Sequence, residues 1–396
     1  MSPPRILTLA AEYPPAPAYG AARCCQELSA ALAAAGADVH IVTLNYRGGE
    51  PDSTVEGVHV YRAVDVDNPA HYDALSATVT DNIWLIERAQ QVAREQGPFD
   101  LLTVHGWQGV LAAKALKVIH DLPLVLFMHA TEPGRRGRKL GTDGLYAAQT
   151  ETWACEHADA VVVPSESLAE EVRRVHRVPE KKIAVASPGV NSGRFETDCH
   201  LPDFRALLAQ PGMRLVLFAG RLTPDNGPDL LLQAMPEVLR KCPRTRLVLA
   251  GDGGLRRGLE RLAAELGVSD HVRFAGHISG KVLGAAYRAA DLVVVPSRYA
   301  PFSLVALEAM SCGTPVAAAD VGELRKLVHS AGATRRFGAG SAEALATSLH
   351  ALLARDVTEA DREALRASAA ARTWEGTART VLDVCGQVLA ARGVPA

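Results

Sequence analysis

The chain has 396 residues, with 42 basic against 44 acidic side chains and a formal net charge of −2. That length exceeds one ordinary core and implies two domains of roughly 150 to 200 residues each. The near-neutral balance excludes a broad electrostatic surface for nucleic acid or anionic membrane, so any anion must be held locally. No run reaches the roughly eighteen apolar residues of a membrane span. The start "MSPPRILTLAAEYPP" meets Glu12 and prolines too soon for a secretory leader. A soluble, cytoplasmic protein with no stable membrane insertion is expected. The seven cysteines, Cys24, Cys25, Cys155, Cys199, Cys242, Cys312 and Cys385, are scattered and never spaced as CxxC. They read as buried reduced thiols, with neither a disulfide framework nor a zinc site.

In chain order, "RILTLAAEY" is the first strand-like run and leads through prolines to Gly20 and a helix from about Ala21, "AARCCQELSAALAAAG". "VHIVTL" is the next strand, and residues 46 to 85 read as loop, including the "DVD" of Asp65 to Asp67. Then come "LLTVHG", the helix "GVLAAKALKVI", and the strands "PLVLFMH", "DAVVVPS" and "KIAVASPG". Residues 196 to 212 are polar and proline-marked and read as the linker or its neighbourhood. After Pro211 the alternation restarts with "MRLVLFAG", "TRLVLAG", "HVRFAGH", "DLVVVPS" and "TPVAAA". Strands alternating with helices predict an α/β fold of two doubly wound parallel sheets, each covered on both faces. The expected domains are 1–200 and 206–375, followed by a C-terminal segment 376–396. Ligands should sit at the carboxyl ends of the strands, in a cleft between the two domains.

Chemistry-bearing residues collect at those strand ends. Gly20 opens a helix where backbone N–H groups can approach an anion, although a glycine there is often just a turn. His105 and Trp107 follow one strand and His129 the next. A lone histidine at such a place is more often structural, and two at adjacent strand ends shift the balance towards a site. Arg135, Arg136, Arg138 and Lys139 read as a solvated loop unless an acidic acceptor lies nearby. Arg221, beside Gly220, has the planar fork that suits a diphosphate, and Gly251-Asp252-Gly253 ends another strand. Finally, "PFSLVALEAM" starts a helix near Phe302 to Leu304 and places Glu308 on an otherwise apolar face. A carboxylate there is costly to desolvate without hydrogen-bond donors, which the paired hydroxyls of a ribose would supply.

The strings "EYPP...YG", "HGW", "LFMHATE", "SPGVNSGRF", "FAGRLTPDNGPDLLLQAM", "LAGDGGLRRGLERLAAELG", "YRAADLVVVPS" and "PFSLVALEAMSCGTPVA" follow in order over nearly the whole chain. Together they resemble the retaining glycosyltransferases of the GT-B fold, family four, which take sugars from nucleotide donors. The resemblance implies two Rossmann-like domains facing across a cleft and a last helix, about Thr377 to Ala391 after Trp374, that crosses back to the first domain. It assigns His129 to the donor sugar and Arg221 to the diphosphate. Gly20 and Gly251 would approach the phosphates, Phe302, Ser303 and Leu304 the diphosphate and sugar, Glu308 the ribose, and His277 and Ile278 the base. Tyr19, His105, Trp107, Arg135 and Arg136 would face the acceptor. The chain departs from the family pattern at two places: Ala300 and Ser303 replace the glutamate and glycine of Glu-Pro-Phe-Gly, and Asn226 stands where a lysine is usual.

The resemblance implies a metal-independent, retaining transfer of a sugar from a nucleoside-diphosphate donor to a small hydrophilic acceptor, through an alcohol or a thiol. No cofactor beyond that donor is expected, and a homodimer is left open. Ala300 and Asn226 point to an unusual donor sugar or a compensating residue such as Arg298, Asp225 or an arginine of the first domain. The alternative they raise is a catalytically silent protein that binds nucleotide sugar or assists a partner enzyme. An epimerase or phosphorylase on the same fold is a weaker third reading.

Overall fold

The computed structural model describes the chain except residues 1–2, 16–19, 46–48, 64–73, 138–139, 197–199, 329–331 and 394–396. Tyr19, Arg138, Lys139, Cys199 and the Asp65 to Asp67 stretch therefore lie outside the described residues. The chain separates into two compact units, Met1–Gly189 with Trp374–Ala396, and Val190–Thr373.

The first unit begins with β1 (Arg5–Ala10), α1 (Gly20–Ala34), β2 (Asp38–Leu44), β3 (Asp52–Val55), β4 (Val58–Ala63) and the long α2 (Ala74–Gln96). It continues through β5 (Leu101–His105), α3 (Val110–His120), β6 (Leu124–Phe127), α4 (Glu132–Arg136), α5 (Thr142–His157), β7 (Ala160–Val163), α6 (Glu166–His176) and β8 (Ile183–Val185). The strands form one sheet in the order β3-β4-β2-β1-β5-β6-β7-β8, parallel except for the β3–β4 edge hairpin. The central strands β5, β6 and β7 are buried at every position because helices cover both faces, which is why they read as unbroken apolar runs. The segment read as loop from 46 to 85 instead carries β3, β4 and the first half of α2. The strand β3, "DSTV", is polar and mostly exposed, as an edge strand that repels further pairing should be.

The second unit contains α7 (Leu201–Leu208), β9 (Arg214–Ala219), α8 (Pro228–Lys241), β10 (Thr245–Ala250), α9 (Arg256–Glu265), β11 (Val272–Gly276), α10 (Gly280–Ala289) and β12 (Leu292–Val295). It ends with α11 (Leu304–Ser311), β13 (Val316–Ala319), α12 (Leu324–Leu327), β14 (Thr334–Phe337), α13 (Ala342–Leu353) and α14 (Glu359–Ala370). Its six-stranded sheet, β11-β10-β9-β12-β13-β14, is parallel throughout. Two separate apolar clusters lie on its faces, one built on α10, α11 and α14 and the other on α8, α9 and α13.

The unit boundary at Gly189–Val190 precedes the polar stretch 196 to 212. Phe195 already belongs to the second core, edge-on to Tyr287 with ring centroids 5.9 Å apart, and α7 packs on α10. The final helix, α15 (Trp374–Ala391), belongs to the first unit and packs on α1 and β7. Thr377 Oγ1 donates to the Ser187 carbonyl at 2.7 Å, and Arg392 Nη1 to that of Asp121 at 2.9 Å.

Gly284 on α10 marks the tightest approach of a helix to the Phe195 turn: a Cβ there would lie 2.4 Å from the Phe195 carbonyl oxygen. Neither backbone can yield without moving α10 off the sheet. Gly284→Ala should therefore destabilise the protein by about 1–3 kcal/mol, seen as a lowered melting temperature in thermal denaturation.

Candidate functional site

All the described candidate residues but Arg135, Arg136 and Glu308 lie at or beyond the carboxyl ends of parallel strands or at the start of the helix that follows. Glu308 lies one turn into such a helix. In the first unit, β1, β5 and β6 are neighbours. Gly20 starts α1 after β1, with φ +24 and nothing among the described residues within 4 Å of the missing Cβ. His105 ends β5, and His129 follows β6. Their rings meet: His105 Nδ1 lies 3.0 Å from His129 Nε2, and His105 also stacks on Phe127 at 4.4 Å. Burial lowers the His129 pKa to about 4. Burial, and then the charge of His129, also holds His105 well below its ordinary value of 6.5. The pair is thus neutral near pH 7, one imidazole donating and the other accepting. Trp107 packs edge-on to Tyr146 at 6.2 Å, and its buried indole N–H finds no acceptor among the described residues.

Arg135 and Arg136 sit on the five-residue α4. Thr131 caps that helix by accepting from the Gly134 amide at 3.0 Å. Both arginines pair with the buried Glu132, Arg135 at 3.2 Å and Arg136 in a closer contact. The Glu132 amide in turn donates to both oxygens of the buried Glu151 at 3.0 Å. Desolvation raises the pKa of Glu151 against the opposing hydrogen bonds of His176 and the Glu132 amide. The two guanidinium groups keep 33% and 50% of their side-chain surface exposed, so they remain able to meet an anion.

In the second unit the sheet order reverses between β9 and β12, where open α/β sheets bind ligands. Gly220 and Arg221 leave β9, Gly251 leaves β10, His277 and Ile278 follow β11, and Ala300 to Leu304 follow β12. The strand ends approach as bare backbone: a Cβ on Gly251, φ +159, would lie 1.8 Å from the Gly220 oxygen. Asn226, in place of a cation, turns inward, donating to the Arg221 carbonyl at 2.9 Å and to Thr223 Oγ1 at 3.2 Å. Arg298 grips Asp229 with two hydrogen bonds of 2.7 Å and also donates to the Pro224 carbonyl.

Ser303 is the N-cap of α11, accepting from the Ala306 amide at 3.3 Å. By helix geometry the amides of Leu304 and Val305 have no partner inside the helix, and they give its start a partial positive charge. Glu308 is 6% exposed and accepts from the hydroxyl of Tyr287 at 2.9 Å. The loop after β13 closes on the position that lacks a glutamate. The Glu323 amide donates to the Ala300 carbonyl at 3.3 Å, and the Glu323 side chain is itself buried. Tyr287 and Glu323 were not singled out from the sequence, and their separation from Glu308 and Ala300 gave no local signal for either contact.

This arrangement of two Rossmann-like α/β units, with glycine-rich strand ends and a helix start at the β9/β12 reversal, is the GT-B fold. The chain belongs to the group 1 glycosyltransferases: the model "Glycosyl transferases group 1" matches residues 202–373 and "Glycosyltransferase Family 4" matches residues 18–194. An uncharacterized glycosyltransferase of Methanocaldococcus jannaschii is 33% identical over 82% of this chain and 82% of its own length. A glycogen synthase of Mycobacterium tuberculosis is 31% identical over 82% of this chain and 80% of its own. Among solved structures, sucrose-phosphate synthase from Thermosynechococcus elongatus superposes with a TM-score of 0.82 at 25% identity, covering 98% of this chain and all of its own. Anabaena HepE in complex with UDP-glucose superposes at 0.73 with 18% identity, covering 97% of this chain and 100% of its own, a likeness of fold. Among the described residues no helix is long and apolar enough to cross a membrane.

The neutral histidine pair has a consequence for stability. The unfolded chain takes up protons at His129 near the ordinary value of 6.5, whereas the folded chain does so only near 4. The contribution is therefore complete above the unfolded value and is lost as pH falls towards the folded one. Melting temperature should drop between those pH values, and His129→Gln should flatten that part of the profile.

Proposed function

We propose that the protein is a retaining, metal-independent glycosyltransferase that moves a sugar from a nucleoside-diphosphate donor to a small hydrophilic acceptor. The reading rests above all on one observation: Arg221, Ser303 and Leu304 follow the strands that flank the reversal, β9 and β12, Gly251, His277 and Ile278 follow the neighbouring β10 and β11 on the same carboxyl edge, and Glu308 lies one turn into α11. In this reading Glu308, already holding the Tyr287 hydroxyl, takes the ribose hydroxyls, and Phe302 with the amides that open α11 lies against the diphosphate and sugar. Arg221 neutralises the diphosphate, and the backbone near His277 and Ile278 lines the base. His129 meets the donor sugar as a neutral hydrogen-bonding group. His105, Trp107, Arg135 and Arg136 face the acceptor, the indole N–H and the guanidinium surfaces favouring hydroxyls and acidic groups.

The bond from the anomeric carbon to the diphosphate oxygen breaks, and the acceptor oxygen bonds to that carbon on the same face. The acceptor proton passes to the departing diphosphate, whose growing charge Arg221 and the helix start stabilise. Ala300 removes the acceptor with which a glutamate would hold a sugar hydroxyl, which favours a deoxy, amino or extended sugar as donor.

A second reading, a silent protein that binds nucleotide sugar, draws on Asn226. Its amide closes a turn and brings no positive charge to the diphosphate. Assays over several donors, with chelator present and the product anomer determined, separate the two. Turnover with retained configuration is expected. Arg221→Ala should lower kcat by about 10² to 10³. An inverted product, or full activity in that variant, would contradict the mechanism.

A further inference from the structure

The opposite edge of the first unit's sheet carries a cluster that sugar transfer does not use. Asp38 and His40 stand two apart on β2 and so point to the same face. In the parallel register His40 lies beside His59 of β4, and their rings stack at 4.7 Å. His40 Nε2 is 2.9 Å and His59 Nε2 3.8 Å from the same oxygen, Asp38 Oδ1. One ligand atom from each residue falls within 4.8 Å of the others, the single such group of three among the described residues. Donors around a tetrahedral zinc lie ~3.3 Å apart when each is at ~2.0–2.2 Å from the ion, a spacing within the range seen here.

We propose that Asp38, His40 and His59 bind a divalent transition-metal ion of the zinc class. The outer contacts are those such a site needs. His40 Nδ1 faces the Tyr61 hydroxyl at 3.1 Å, and His59 Nδ1 faces Thr54 Oγ1 at 3.3 Å. Either hydroxyl can accept an Nδ1–H, so an ion that takes the place of the Nε2–Asp38 hydrogen bond would meet Nε2 as a lone-pair donor, with the proton moved to Nδ1. Arg5 Nε holds the other carboxylate oxygen, Asp38 Oδ2, at 2.8 Å. It therefore limits Asp38 to one ligand atom and tempers the affinity for a cation.

Two imidazoles and one carboxylate suit zinc, cobalt or nickel better than magnesium or calcium. The ion would join β2 to β4, and through Thr54 and Arg5 the edge strand β3 and the start of β1. Its role is structural, since it lies at the amino-terminal ends of β2 and β4, whereas the candidate transfer residues of this unit follow the carboxyl ends of β1, β5 and β6 in the same sheet. His59 keeps 42% of its side-chain surface exposed, so its replacement should not disturb folding.

The test is to titrate tag-free, chelator-treated full-length protein with Zn²⁺ by calorimetry and with Co²⁺ by visible absorption. We expect one ion per chain, a rise in melting temperature with Zn²⁺, and d–d bands with Co²⁺. His59→Ala should weaken Zn²⁺ binding by at least about tenfold and abolish the metal-dependent rise. Wild-type protein that binds no stoichiometric metal, or a folded His59→Ala protein that titrates like wild type, would overturn the assignment.

Discussion

The hydrogen bond from Tyr287 to Glu308 is the constraint around which the second unit is arranged. A carboxylate 6% exposed would be strongly unfavourable without a donor, and Tyr287 supplies one from a ring that is itself fully buried. The ring is held on one side by Phe195, and the Tyr287 carbonyl accepts from Thr314 at 2.7 Å. One side chain thus ties α10, α11 and the turn at Phe195 into a single packed body, and it fixes where α11 begins relative to β12. The start of α11 and the turn after β9 flank the reversal in strand order, so the backbone donors of that region are set by core packing. Loop flexibility has little part in placing them.

The two units divide the electrostatic work. In the first, burial keeps His105 and His129 neutral, so they offer directional hydrogen bonds without charge. In the second, positive character comes from Arg221 and the opening amides of α11, while Arg298 is committed to Asp229. Arg298 was one candidate to make good the cation absent at Asn226. Its bidentate pairing anchors the start of α8, which makes that compensation an expensive one.

Much of the fold was legible because the parallel strands are buried on both faces and stand out as apolar runs, from "LLTVH" to "LVVV". Of the four edge strands, β8 and β11 were read and β3 and β14 were not. Polar "DSTV" and "TRRF" lack that signature since solvent, or a neighbouring loop, takes the place of a covering helix. The strand "VHVYRA" and helix α2 were lost with them, because the polar residues around 64 to 73 dominate the pattern there. Strand-end positions followed once the strands were known, which is why His105, His129, Arg221 and the residues after β12 could be singled out. Partners far along the chain could not be. Glu308 meets Tyr287, Ala300 meets Glu323, and Asp38 and His40 meet His59 only through the packing of separate strands and helices.

The central claim is that a buried carboxylate at position 308 reads the ribose of a nucleoside diphosphate. Calorimetric titration of wild type and Glu308→Gln with a ribonucleoside diphosphate, and with the counterpart lacking both ribose hydroxyls, addresses it directly. Charge-assisted hydrogen bonds of this kind predict that wild type prefers the ribose form by at least about tenfold, with the preference much reduced in Glu308→Gln. Equal affinity of wild type for the two nucleotides, or no nucleotide binding at all, would contradict it.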